Sequence, residues 1–334
     1  MSVTPLGNTA PGNTATGEAE AERLAMASAV ESCRRFHRGF FLATLGMPRS
    51  KRPSACAIVR FAGMIESALT AKQAGDADGR EPSGDCGCDD LDQKAGMIRQ
   101  RIGDMYAGGL DLPKLVRRDA DQHVLHAMEL TVNRYQIPPG LFGDLVDGLV
   151  AAQRTQRYAT WESLRRNLWA VCGSAGLALT CVIGLRGDVR EKVLALAEGI
   201  GLAEILFQLR DDAGRGRMLL PLEDLARCSC PERLIEAGVM NDRVRELVQF
   251  EASRARESLV AGAGALPWLG DDGSKFAGAM IIAQTTARLD ELRRRNYDLF
   301  GPPVRVPTWR AVRAVSAGWR LSRRGDGSEK RGRS

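Results

Sequence analysis

The segment Glu204-Ile205-Leu206-Phe207-Gln208-Leu209-Arg210-Asp211-Asp212 concentrates the residues of this chain best suited to chemistry. On a helix Glu204, Gln208, Asp211 and Asp212 fall at i, i+4, i+7 and i+8, share one face and offer oxygen ligands to a hard cation. The same spacing describes a solvated or internally paired polar stripe, the commoner fate of polar helix faces. Arg210, Arg215 and Arg217 stand within and just after this segment. Guanidinium groups bind phosphate oxygens in a bidentate fork without a metal, and equally serve as surface or ion-paired arginines. Upstream, Glu66 has Thr70 at i+4, so a cation held there meets one carboxylate and one neutral hydroxyl.

These groups need helices to carry them, and the patterning predicts helices. Apolar residues recur at three- and four-residue spacing rather than by alternation, and 334 residues with 44% hydrophobic content suffice for a buried core. The expected fold class is all-α, a single helical domain over residues 21–304 with no interior linker. Helices are expected at 91–107, 120–135, 140–156, 160–185, 189–212, 241–262 and 273–300, separated by turns such as Ile137-Pro138-Pro139-Gly140. Residues 1–20, rich in Gly, Thr, Asn and Pro, are expected to form a disordered leader, and 72–92 a surface loop.

Composition narrows the function classes. No uninterrupted apolar run reaches the roughly 18–20 residues of a bilayer span; the stretch 171–185 contains Gly173, Ser174, Gly176 and Thr180 and is expected to be a buried core helix. The first twenty residues contain no Lys or Arg, so no secretory signal is expected and a cytoplasmic location follows. Eight scattered cysteines are expected to be reduced thiols. The formal charge of +6 is concentrated in residues 305–334, with nine basic residues against Asp326 and Glu329. Within it, Trp309, Val312, Val315 and Trp319 fall near one side of a helix with arginines around them. That pattern fits either a peripheral helix on an anionic membrane surface, at the inner face of the cell membrane, or a helix packed on the main domain with a basic fringe. Nucleic acid is not expected, since no binding motif accompanies the charge.

Two weaker constellations carry ordinary readings. His123, His126 and Glu129, at i, i+3 and i+6, resemble a metal set but read as surface residues of a polar helix. Cys86-Gly87-Cys88 and Cys228-Ser229-Cys230 have only one residue between each pair, fewer than structural zinc sites use, and read as loop thiols.

Several segments in order resemble the squalene/phytoene synthase family. Phe40-Phe41-Leu42-Ala43-Thr44-Leu45-Gly46-Met47-Pro48 with Lys51-Arg52 is similar to its opening helix. Phe142-Gly143-Asp144-Leu145-Val146-Asp147-Gly148-Leu149 and Val171-Cys172-Gly173-Ser174-Ala175-Gly176 resemble two of its inner helices. Leu209-Arg210-Asp211-Asp212-Ala213-Gly214-Arg215-Gly216-Arg217-Met218-Leu219-Leu220-Pro221 resembles its second Asp-rich motif running into a Gly-Arg-x-x-Leu-Pro signature. The resemblance implies the isoprenoid synthase fold around a central cavity, and head-to-head joining of two isoprenyl diphosphates. It also implies Mg²⁺ held by Asp-rich clusters, and an apolar pocket that shields a carbocation from water.

Position by position, the resemblance also predicts an altered site. The first Asp-rich motif falls on Glu66-Ser67-Ala68-Leu69-Thr70, and the second is three residues shorter, so Asp211 and Asp212 are adjacent, about 100° apart on a helix. A family carboxylate falls on Ala152, a Tyr on Asn167, a Gln on Glu204 and an Asn on Phe207. The expected metal set is therefore Glu66, Glu204, Asp211 and Asp212, with Asp211 and Asp212 at the chemistry. Arg210, Arg215, Arg217, Gln208 and Arg52 are expected on the substrate. The functional expectation is a prenyl diphosphate transferase of isoprenoid biosynthesis with an eroded or rebuilt metal site. The alternative is a non-catalytic protein that binds a long-chain isoprenoid or a partner synthase.

Overall fold

Thr160 starts the long inner helix: its hydroxyl accepts from the Ser163 amide at 3.2 Å while Ser163 reaches back to the Thr160 amide at 3.3 Å, a reciprocal cap for otherwise orphaned donors. In this computed structural model the chain is described over residues 12–71, 86–108, 120–270 and 272–306, with Ser316 and Arg320 beyond. Thirteen α-helices occur among the described residues. They are α1 (Gly12–Phe36), α2 (Arg38–Thr44), α3 (Arg52–Thr70), α4 (Cys86–Tyr106), α5 (Ala120–Tyr135), α6 (Pro139–Arg154), α7 (Trp161–Leu168), α8 (Ser174–Ile183), α9 (Arg190–Gly214), α10 (Leu222–Arg227), α11 (Glu232–Glu236), α12 (Asp242–Ala263) and α13 (Ser274–Arg294). Extended pairing among the described residues is confined to two isolated bridges, Arg157 with Met218 and Leu185 with Leu269.

The all-α expectation holds; the differences lie at element ends and in the short helices α10 and α11, which no expected helix covers. Helix α1 reaches back to Gly12, into the expected leader, because Ala and Glu dominate residues 18–27 and favour helix. Helix α4 begins at Cys86, inside the expected loop; Lys94 secures it by pairing with Asp90 one turn earlier and donating to the Ala71 carbonyl at 2.7 Å. The expected helix over 160–185 is continuous but carries a π-helical turn, Trp169–Gly173, between α7 and α8. By length and composition this 23-residue stretch is apolar enough to cross a membrane. In the fold α8 packs on α3, α6 and α9, but only 33% of the most apolar window of the stretch is buried, because part of this stretch lines a cavity instead of the core. Of the basic segment over 307–324, only Ser316 and Arg320 lie among the described residues.

The core divides in two. One half joins α1, α3, α4, α5, α6 and α8, with Phe61 edge-on to the fully buried Phe142 at 5.5 Å between centroids. The other joins α7 and α9 to α13 around Leu202, Leu206 and Leu209. Small clusters such as Met47 with Ala55 and Ala277, or Leu266 with Leu269, lie along the wall of the same cavity. Helices α9 and α12 approach closely where each carries glycine. A Cβ on Gly199 would lie 2.8 Å from the Ala255 carbonyl oxygen, and one on Gly262 would lie 2.6 Å from Leu196 Cα.

Candidate active site

The cavity has a volume of about 630 Å³, within the range of roughly 300–1,000 Å³ usual for small-molecule sites. Val59 of α3, Leu179 of α8, Ile200 of α9 and Ile281 of α13 are among its apolar walls. Its polar lining includes His37, Arg38, Cys172, Thr180, Glu204, Gln284, Thr285 and Arg288. Glu204 forms an ion pair with Arg288, Gln284 stands one turn before Arg288 on α13, and Gly39 packs against the Gln284 side chain. Cys172 sits in the π-helical turn. Burial pushes its thiol up to about 12, and the Glu66 and Glu204 carboxylates add to the shift, so both charges act on one sulfur in the cavity wall. His37 Nε2 is buried without a partner; burial and then Arg60 hold the imidazole below its ordinary value.

The expected site residues separate. Glu66 is exposed at the last turn of α3, and Thr70 turns its hydroxyl back to the Glu66 carbonyl at 3.0 Å instead of joining it as a ligand. Glu204 lines the cavity and is paired with Arg288. Gln208 and Asp211 are exposed on α9. Asp212 is buried and faces Arg217 at 3.8 Å; burial raises its carboxyl, against the opposing pull of Arg217 and Arg215. Asp211 and Asp212 thus diverge, as adjacency on a helix dictates.

Three of the four expected arginines bond to backbone carbonyls. Arg52 donates to the Thr44, Leu45 and Met47 carbonyls at 3.1, 2.9 and 3.4 Å, so it ties the end of α2 to α3 rather than projecting toward a substrate. Arg210 donates to the Phe300 carbonyl at 2.8 Å. Arg217 donates to the Ala152 carbonyl at 3.2 Å, and Gly216, at φ +73°, makes the turn that brings it there. The Gly-Arg pair therefore fastens the end of α9 to the end of α6. Arg215 is exposed at the end of α9. Asn167 donates to the Gly148 carbonyl at 2.8 Å.

The weaker constellations resolve similarly. His126 and Glu129 pair with each other at 3.4 Å in a buried position, not at the surface as expected. Cys228 and Cys230 are buried free thiols, whereas the side chains of Cys86 and Cys88 lie outside the described residues. Sequence reasoning missed Arg288, Gln284 and His37; the signal available was the pair of altered positions, Glu204 and Phe207, that Arg288 touches.

An all-α bundle closed around an apolar cavity with charged groups gathered on part of its wall is the isoprenoid synthase fold. A solved dehydrosqualene synthase in complex with ligand shares it at TM-score 0.76 and 19% identity, over 91% of this chain and 98% of that one. The squalene synthase HpnC from Alicyclobacillus acidocaldarius matches at TM-score 0.69 and 19% identity, over 83% and 96%. In sequence, the 15-cis-phytoene synthase of Synechococcus elongatus is 27% identical over 306 residues, 86% of this chain and 91% of that protein. That of Synechocystis is 26% identical over 308 residues, 87% and 84%. The squalene/phytoene synthase family pattern matches residues 33–310, and the chain belongs to that family.

Members of this family are prenyl transferases that bind isoprenyl diphosphates and generally depend on Mg²⁺. The donors present here do not fit a cluster of such ions. Among the described residues no three His, Cys, Asp or Glu side chains come together as a metal set. Glu204 is matched by Arg288, Asp212 is directed at Arg217, and Asp211 is exposed.

Proposed function

We propose that this chain acts on a long-chain isoprenyl diphosphate in isoprenoid biosynthesis, as a prenyl diphosphate transferase whose charged end has been rebuilt. The single observation that carries the reading is the cavity, whose walls are largely apolar and whose lining includes the Glu204–Arg288 ion pair. An isoprenyl tail buries against walls such as Val59, Leu179 and Ile281, and the diphosphate lies by the polar lining. Loss of the diphosphate from an allylic carbon leaves a cation, and walls without nucleophilic water let it survive until the second chain attacks. Cys172 suits this surrounding because its thiol stays neutral and so weakly nucleophilic.

The test is pyrophosphate release from farnesyl and geranylgeranyl diphosphate with extraction of products, with Mg²⁺ or with EDTA, and with and without phosphatidylglycerol vesicles for the basic segment 305–334. Leu179→Trp, which fills the cavity, serves as the blocked control. Release by the natural chain and its loss in Leu179→Trp support the reading. Saturable binding with no release in any condition overturns the transferase and leaves the isoprenoid-binding alternative.

A further inference from the structure

The charged end of the cavity contains a cation supplied by the chain itself. Arg288 reaches the lining from α13, its guanidinium carbon 3.9 Å from the centre of the Phe207 ring and its Nη1 paired with Glu204. Phe207 and Glu204 are the two α9 positions where the family resemblance leads one to expect Asn and Gln. The two altered positions and Arg288 form one unit: an aromatic face stands where an amide is expected, the guanidinium of Arg288 lies over that face, and a carboxylate one turn earlier balances it. Stacking leaves the edge of a guanidinium, where its N–H groups lie, free to point along the ring plane. The side chains of Arg288 and Glu204 are 33% and 43% exposed, so the pair is open to a ligand.

We infer that Arg288 is the diphosphate-binding cation of this chain, taking over at that end of the cavity part of the charge neutralisation that clustered carboxylates and divalent ions would otherwise provide. This rests on the reading of the cavity as an isoprenyl diphosphate site. A guanidinium is charged at every working pH and matches two phosphate oxygens with two parallel N–H donors. Glu204 is its counterion in the free protein. When a diphosphate enters, the phosphate oxygens compete with Glu204 for the same N–H groups, so Glu204 opposes binding rather than supporting it through a metal. Arg38 is the other arginine on the lining.

The experiment is calorimetric titration of the full chain with farnesyl thiodiphosphate, a slowly ionising analogue, in EDTA and in Mg²⁺, with farnesol as a ligand that has the tail alone. The expected result is analogue binding in EDTA that Arg288→Gln weakens by about tenfold to a hundredfold, the scale of a lost charge-assisted pair. Glu204→Gln is expected to leave that binding equal or several-fold tighter, and farnesol binding is expected to be unchanged in both variants. A loss in Arg288→Gln without one in Glu204→Gln is what a merely structural salt bridge does not produce, since breaking it from either side damages the same contact. Thermal melting of each variant checks that it is folded, and Arg288→Lys, which keeps the charge but loses the fork, is expected to fall between. Analogue binding that needs Mg²⁺, is lost in Glu204→Gln and ignores Arg288→Gln overturns the inference while leaving the cavity reading intact. If neither the analogue nor farnesol binds the natural chain, the cavity reading fails and the inference falls with it.

Discussion

Glu66 at the end of α3 and Glu204 in the middle of α9, 138 positions apart in the sequence, both press on the sulfur of Cys172. Glu204 lines the cavity, whereas Glu66 stands exposed near the end of α3 and its i+4 partner is a threonine bonded to its own helix.

This relationship is open to direct measurement through the thiol. Burial, and then the two carboxylates, hold the Cys172 pKa at about 12, so alkylation by iodoacetamide is expected to be slow at pH 8 and to rise steeply only in strong base. Glu66→Gln and Glu204→Gln each remove a negative charge that opposes thiolate formation, so the pH at which Cys172 reacts is expected to move down in both. Peptide mass spectrometry after timed alkylation reads the site; an unchanged profile in both variants would show that the carboxylates do not face this sulfur.

Glu251 provides a second pH handle, away from the cavity. Its carboxyl is fully buried between Asp224 and Arg254, and burial first, then Asp224, push it up to about 8 against the pull of Arg254. One of its oxygens lacks a partner as an acceptor, and a proton on it turns it into a donor. A carboxyl with a raised folded-state pKa contributes stability that is present below its unfolded value, near 4.5, and is lost as pH rises through about 8. The melting temperature is therefore expected to decline from pH 5 to pH 9. Glu251→Gln, which keeps the shape and removes the titration, is expected to flatten that decline; a parallel curve in scanning calorimetry would sink the assignment.

Removing the other side of the same cluster is expected to cost more. Arg254 donates to Asp224 at 2.7 Å and to Glu251 at 2.8 Å, and lies 4.5 Å from the centres of both the Trp161 and Phe250 rings. Arg254→Met leaves two buried carboxyl groups facing each other, a loss of about 3–5 kcal/mol in urea unfolding at pH 8. The loss is expected to shrink toward pH 5, where Glu251 is protonated.

Gly262 sets how near α12 comes to α9. A Cβ there would lie 2.6 Å from the Leu196 Cα, a backbone atom that cannot turn aside, so Gly262→Ala is expected to destabilise the chain by about 1–3 kcal/mol. Gly262 also borders the cavity, so the displaced helices are expected to lower farnesol affinity as well, whereas Gly214→Ala, with open space around it, is expected to leave affinity unchanged.

Arg52 separates a binding role from a structural one. Its three carbonyl partners predict that Arg52→Ala lowers stability by about 1–3 kcal/mol and leaves the affinity for farnesyl thiodiphosphate unaltered. A selective loss of analogue binding with an unchanged melting curve would restore Arg52 to the substrate.

The sequence by itself determined the helical class, the order of the elements and the family, because three- and four-residue periodicity and ordered local motifs are properties of neighbouring residues. It placed α5 at its observed ends and identified Thr70, Ala152, Asn167 and Phe207 as departures from a metal-binding pattern. Helical spacing also put Glu204, Gln208, Asp211 and Asp212 on one face, but a face more than one turn wide can border a cavity, solvent and a neighbouring helix at once. Only the tertiary structure decided that Glu204 lines the cavity, Gln208 and Asp211 are exposed, and Asp212 turns to Arg217. The arginines show the same division: charge and position in a motif do not reveal whether a guanidinium meets a ligand or a backbone carbonyl, since both are acceptors. Arg52, Arg210 and Arg217 went to carbonyls, and Arg288, 84 positions beyond Glu204, reached the cavity because α13 packs beside α9.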